Sequence, residues 1–291
     1  MTTYQLFQKL LIDFGIILLT LYIGACIFLF LRQRQMIFKP TYDILETPLQ
    51  YNLKYEEVWI PSMSRGNSPD KLHGWFLPYE KDNLGLGTIL YLHGSGTNIS
   101  NSIYLRDVVQ LRKIGFSVFI FDYRGYGQSV GDFPSELSIY EDAENALRYL
   151  IEKREIPREK IYLFGVSLGG AVAIDLAIKE IGIGGLIVVS SFTSMLEEIL
   201  YRGYRVFPIE LILNQKFDSI SKISSLKTPI LIIHGTSDKS NPASMSQNLY
   251  NAAPYSKQLL LIPDFGHDNI SDMIASTQFR DGMNKYINET K

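Results

Sequence analysis

Six short apolar runs, interleaved with stretches of helical spacing, restrict this chain more than any other feature. They read TILYL (88–92), SVFIF (117–121), KIYLF (160–164), GLIVV (185–189), PILII (229–233) and QLLLI (258–262). A strand with one wet face alternates apolar and polar residues, whereas an unbroken apolar run fits a strand buried on both faces of a parallel sheet. The stretches between supply the covering helices, over about 101–114, 136–153, 168–180, 243–252 and 270–287. In 136–153 the apolar residues Leu137, Tyr140, Ala143, Leu147 and Leu150 recur at three- and four-residue steps, one helix face. Strand and helix alternate throughout, which predicts an α/β fold: a mostly parallel central sheet with helices on both faces and right-handed crossovers. Upstream, KYEEVWI (54–60) and LHGWFLP (72–78) flank the turn-rich PSMSRGNSPD and predict an antiparallel pair at a sheet edge.

Two further features set the domain organisation. Residues 14–31, FGIILLTLYIGACIFLFL, carry no charge over 18 positions, close to the minimum for a helix crossing a ~30 Å hydrocarbon layer. They predict one N-terminal transmembrane helix, preceded by a tail (1–13) and followed by a linker (32–50) containing Pro40 and Pro48. A lipoprotein signal with Cys26 as the acylated residue fits less well, because five apolar residues follow Cys26 where such signals turn polar. Arg32, Arg34 and Lys39 after the run, against Lys9 and the amino terminus before it, favour a cytoplasmic domain by the positive-inside count. The domain itself is expected over 51–291. Its longest connection lies between Val189 and Pro229, enough for two short helices beyond a crossover, and predicts a small cap at 191–227.

Charge excludes one class of partner. Twenty-eight basic residues face 30 acidic ones without a block of one sign, so no nucleic acid partner is expected. Four histidines at no i, i+4 spacing and a single cysteine give no metal-ligand pattern.

In an open parallel sheet, ligands bind beyond the carboxyl ends of the strands. The loops there are HGSGTN (93–98), GVSLGG (165–170), HGTSD (234–238) and DFGHDN (264–269). A G-x-S-x-G match arises by accident in roughly one such chain in seven, so Ser167 draws its meaning from context. That context is a strand ending at Phe164, a small-residue helix starting near Leu168, and glycines at 165 and 169 that relieve a sharp turn. A serine hydroxyl needs a base and an orienting acid. His267, in a loop where a histidine has little packing role, supplies the base. Asp238, just past the strand ending at Ile233, supplies the acid, ahead of Asp122, Asp264 and Asp268. Backbone N–H groups of Leu168, at a helix N-terminus, and of Ser95 are the expected oxyanion donors. His93 and His234 are read as rings bonded to loop backbone, and His73 as structural. The glycine-rich GYGQSVG leads into no strand–helix nucleotide unit, and no cofactor is expected.

At RQRQMIFKP, LHGSGTN, FDYRGYGQSVGDFPSE, KIYLFGVSLGGAVAIDLA, SSFTSM, PILIIHGTSD and FGHDNI the sequence resembles the α/β-hydrolase superfamily, in particular its membrane-anchored single-pass branch. The resemblance covers about residues 32–288. It implies Ser167 as nucleophile, Asp238 as acid, His267 as base, and Ser95 and Leu168 at the oxyanion. It departs in HGSGTN, where relatives often carry HGNAGN. Taken together, the expected activity is a membrane-tethered serine hydrolase cleaving an ester, thioester or amide through an acyl-enzyme. Its substrate is expected to be an acyl-bearing small molecule, lipid or acylated protein. A peptidase of the same fold and a non-catalytic membrane-anchored binding protein are the alternatives.

Overall fold

A computed structural model describes residues 2–62, 70–79, 85–254 and 256–290. The turn expected between the first two strands falls at 63–69, outside the described residues. One sheet holds eight strands: β1 (Glu56–Ser62), β2 (Asp70–Leu77), β3 (Thr88–Leu92), β4 (Ser117–Phe121), β5 (Ile161–Val166), β6 (Gly185–Val189), β7 (Ile230–Gly235) and β8 (Lys257–Ile262). Their spatial order is β1-β2-β4-β3-β5-β6-β7-β8. Strand β2 runs antiparallel to both β1 and β4, and every other neighbouring pair is parallel.

The apolar runs are strands β3 to β8, and the first five are buried along their whole length. Alternate residues feed two cores. Leu90, Phe119, Leu163, Val188 and Ile232 pack on one face, and Ile89, Val118, Phe164, Ile187 and Leu231 on the other. Strand β8 departs from the expectation of full burial: it closes the sheet edge, and Leu261 is 37% exposed.

The helices are α1 (Thr3–Ile37), α2 (Ser102–Ile114), α3 (Glu136–Glu152), α4 (Leu168–Lys179), α5 (Met195–Tyr201), α6 (Ile209–Ile212), α7 (Ala243–Ala252), α8 (Ile270–Ile274) and α9 (Thr277–Thr290). In α3 the packed face is Ile139, Ala143, Ala146, Leu147 and Leu150, while Leu137 points to solvent. The single helix expected over 270–287 is two. The Ser276 hydroxyl accepts from the Phe279 N–H at 3.1 Å, an N-cap that starts a second helix instead of extending the first. The expected cap contains two short helices, α5 and α6.

Helix α1 is the one described helix long and apolar enough to cross a membrane, with a window of mean hydropathy 2.6. It runs beyond the 14–31 span in both directions, reaching Ile37. Part of the segment expected as a linker is bonded to the domain. Phe38 is buried in the core, Lys39 N–H donates to the Ser95 carbonyl at 3.0 Å, and Gly127 N–H donates to the Thr41 carbonyl at 2.8 Å. Asn98 closes this strap by donating through Nδ2 to the carbonyls of Thr41 and Asp43.

One buried ion pair ties α3 to the loop after β4. Arg124 donates to Asp142 from its backbone N–H (2.8 Å), Nε (2.9 Å) and Nη2 (2.6 Å), and Asp142 is wholly buried. Truncating the arginine leaves the buried carboxylate without its cation and with the backbone N–H still bonded to it, and removing one partner of a buried pair typically costs ~3–5 kcal/mol. Arg124→Ala is therefore expected to lower unfolding free energy by about that amount at pH 7 in urea titration, and a loss under ~1 kcal/mol would contradict this account.

Candidate active site

Strand β5 ends at Val166 and α4 starts at Leu168, so Ser167 alone makes the turn, at φ 54° and ψ −120°. Such a conformation costs an L-residue on the order of 1–3 kcal/mol and persists only where its surroundings enforce it. Here the enforcement is close backbone packing. A Cβ on Gly165 would meet the Gly169 carbonyl oxygen at 2.2 Å, and one on Gly169 would meet the Leu92 carbonyl oxygen at 1.9 Å. Ser167 is also pinned by its own backbone: its N–H donates to Val189 at 2.9 Å, and its carbonyl accepts from Ser191 Oγ at 2.8 Å.

The turn aims the hydroxyl at His267. Ser167 Oγ and His267 Nε2 lie 3.1 Å apart, and His267 Nδ1 lies 2.8 Å from Asp238 Oδ2. Each partner has its own support. The loop carrying His267 packs on Gly235, where a Cβ would sit 2.3 Å from the Phe265 carbonyl oxygen. Asp238 Oδ1 accepts from the Ser240 and Asn241 N–H groups, both at 2.8 Å. Burial opposes ionisation of Asp238, but hydrogen bonds from His234, His267 and the Asn241 backbone outweigh it and hold the carboxyl well below the usual carboxylate range. An ionised carboxylate on Nδ1 fixes the imidazole with Nε2 free to accept a proton from Ser167, which is the arrangement general-base activation of a hydroxyl requires.

The other expected positions fall as follows. Ser95 and Leu168 both line the cavity at Ser167. Leu168 opens α4, so its N–H belongs to the first turn and has no acceptor within the helix. The peptide of Ser95 is oriented through its carbonyl, which accepts from Lys39 N–H at 3.0 Å and Tyr126 OH at 2.8 Å. Neither Lys39 nor Tyr126 is singled out for the site by the sequence, where Lys39 counts only toward topology. Tyr126 sits in the GYGQSVG stretch, whose glycines gave a signal but not its meaning. His93 Nδ1 donates to the Gly94 carbonyl at 2.7 Å, and His234 Nε2 to that of Asn241 at 2.8 Å, both as expected. His73 is buried with Nε2 2.9 Å from Glu57. Asp122 does not reach His267. It is buried under the 93–98 loop, accepting from Ile99 N–H at 2.9 Å. Among the described residues no cluster of His, Cys, Asp and Glu could hold a metal ion.

The cavity at Ser167 has a volume of about 1080 Å³. Phe192, Met195, Ile199 and Ile209 from the cap line it together with Leu29 and Met36 from α1. Its buried acid, Glu198, is bound by Arg202 at 2.6 Å.

The sequence pattern of the serine aminopeptidase, S33, family matches residues 86–219. An uncharacterised protein of Mycobacterium tuberculosis is 30% identical over 267 residues, spanning 92% of this chain and 91% of that one. The alpha/beta hydrolase domain-containing protein WAV2 of Arabidopsis thaliana is 30% identical over 220 residues, 71% of this chain and 69% of its own length. Among solved structures, the Pyrococcus furiosus esterase Pf2001 superposes with a TM-score of 0.69 at 21% identity, covering 87% of this chain and 97% of the esterase.

Burial of Asp122, partly offset by the Ile99 N–H, pushes its carboxyl up to about 8. The same group in an unfolded chain ionises near ~3.9, so between roughly pH 4 and pH 8 folding takes up a proton and stability falls as pH rises. Asp122→Asn keeps the acceptor for Ile99 and removes this dependence. Its unfolding free energy from urea titration is expected to gain on the wild type from pH 5 to pH 8, by on the order of 1 kcal/mol per pH unit; parallel profiles would refute the assignment.

Proposed function

The chain belongs to the α/β-hydrolase superfamily, and within it we propose a membrane-tethered serine hydrolase that cleaves acyl esters or thioesters through an acyl-enzyme. The observation that carries this reading is the continuous series Ser167 Oγ, His267 Nε2, His267 Nδ1 and Asp238 Oδ2, with steps of 3.1 and 2.8 Å across the imidazole.

In this reading Ser167 Oγ attacks the carbonyl carbon as His267 Nε2 takes its proton. The oxyanion that forms is held by the Leu168 and Ser95 N–H groups; each such donor is typically worth ~3 kcal/mol in the transition state. Collapse breaks the bond to the leaving oxygen or sulfur, which leaves with the proton from His267. Water, deprotonated by His267, then adds to the acyl-enzyme, and collapse releases the carboxylic acid and restores Ser167. Asp238 stays ionised throughout and stabilises the imidazolium.

The apolar lining supports an acyl chain as the group bound beside Ser167. The serine aminopeptidase description of the matching family raises peptide hydrolysis as a second reading. Of the two acids that line the cavity, buried Glu198 is already engaged by Arg202 at 2.6 Å, and Asp268 is exposed to solvent. Esters and thioesters fit the cavity better. The N-terminal helix supports the membrane tether by its length and apolarity.

In detergent-solubilised full-length protein, a fluorophosphonate probe is expected to label the wild type and not Ser167→Ala. The value of kcat/KM on p-nitrophenyl esters should fall by at least ~10⁴-fold in that variant and by about 10⁴-fold in Asp238→Asn. Equal labelling of wild type and Ser167→Ala would remove the assignment.

A further inference from the structure

Helix α1 does more than precede the domain: the cap is docked along its side. Gln33 is buried and bonds the cap backbone on both edges of its amide, with Nε2 donating to the Ile212 carbonyl at 3.1 Å and Oε1 accepting from Asn214 N–H at 2.7 Å. Three helical turns earlier, Tyr22 OH donates to the Val206 carbonyl at 3.0 Å, and its ring stacks on Phe207 at 5.8 Å between centroids. The docked stretch, 22–33, and the uncharged run, 14–31, share residues 22–31.

This overlap has a geometric consequence. At ~1.5 Å per residue, Tyr22 lies about 13 Å along the helix axis from Leu31, where the apolar run ends. Whatever apolar medium surrounds α1 at Tyr22 therefore also meets the part of the cap bonded there. The cap surface is suited to that medium. Val206 is 68% exposed, Leu211 85%, Tyr201 48% and Tyr204 38%. These residues continue the apolar surface of α1, whose Leu18, Leu19 and Leu21 are exposed as well. The charges on the same stretch are Arg202, bound to Glu198, and the exposed Arg205 and Glu210. Long arginine stems reach back to the headgroup level. The cavity reaches the same seam, since Leu29, Gln33 and Met36 of α1 face Tyr204, Ile209 and Ile212 of the cap across it.

We propose that the cap lies in the bilayer leaflet beside α1, and that the cavity draws the acyl chain of a membrane-resident amphiphilic ester sideways from that leaflet. The proposal rests on reading α1 as a membrane span and Ser167 as the nucleophile.

The test uses the full chain in phosphatidylcholine nanodiscs, in a Cys26→Ser background, with a nitrobenzoxadiazole label on a single cysteine replacing Val206, Leu211 or Lys153. Lipids carrying a doxyl group on the acyl chain are expected to quench the labels at 206 and 211 at least two-fold and to leave the exposed control at 153 unchanged. Absence of quenching at 206 and 211 overturns the proposal. Disulfide cross-linking between copies of the unlabelled Val206→Cys or Leu211→Cys variant also overturns it, by giving the face to a second copy. In a second arm, V206D/L211D is expected to lower kcat/KM at least ten-fold on a long-chain ester dissolved in the bilayer, while a short water-soluble ester stays within two-fold. Neither residue lines the cavity, so an equal loss on both substrates overturns lateral access. Fluorophosphonate labelling of Ser167 is measured in the same discs: quenched labels without that labelling would support the cap's placement and remove the hydrolase reading, which keeps the two failures apart.

Discussion

The approach of α4 to strands β3 and β5 is the constraint on which the site depends. Gly165 and Gly169 let the first turn of α4 sit against the Leu92 carbonyl, and a methyl group on either would drive atoms to within 2.2 Å. With that contact made, the chain has one residue in which to turn from strand to helix, and Ser167 takes up the strain at φ 54°. The strained turn and the open N–H groups of α4 thus have one origin. Packing energy spread over the buried faces of α4 outweighs a local cost of about 1–3 kcal/mol and keeps the hydroxyl aimed into the cavity.

Side chains behind the site are arranged to keep its front fixed. Burial pushes His93 down to about 4 against a smaller opposing effect of its bond to Gly94, so the ring stays neutral in the core beside Tyr123 and Tyr126. Asp122 receives the Ile99 N–H, Ser129 Oγ donates to the Asp122 carbonyl at 2.6 Å, and Tyr126 OH reaches the Ser95 carbonyl. The loop 93–98 is therefore held from beneath by the DYRGYG segment and from the side by residues 38–43. Its departure from the HGNAGN pattern leaves the support of Ser95 in place.

Periodicity made the sheet legible because burial on both faces leaves the unbroken runs seen in β3 to β7. Ser167, Asp238 and His267 were legible for a related reason: each follows a strand at the same edge, and the structure brings all three within hydrogen-bond reach. What the sequence concealed is held by polar contacts without period. Thr41 and Asn98 are far apart in the chain and have no pattern that pairs them, so 38–45 reads as a linker although it is bonded into the domain. The division between α8 and α9 hangs on one serine hydroxyl. The pairing of α1 with the cap rests on Gln33 and Tyr22, each unremarkable in an apolar helix.

The continuity of α1 with the domain also bears on motion. A catalytic head on a loose tether sweeps a wide range of orientations above a surface, and productive encounters are a small share of them. Here α1 runs unbroken to Ile37, Phe38 is already in the core, and Lys39 is bonded to the Ser95 carbonyl. With no slack between α1 and Ser95, the tilt of the helix sets the tilt of the whole domain. On the proposed reading of α1 as a membrane span, the search for substrate reduces to diffusion in two dimensions and rotation about a single axis.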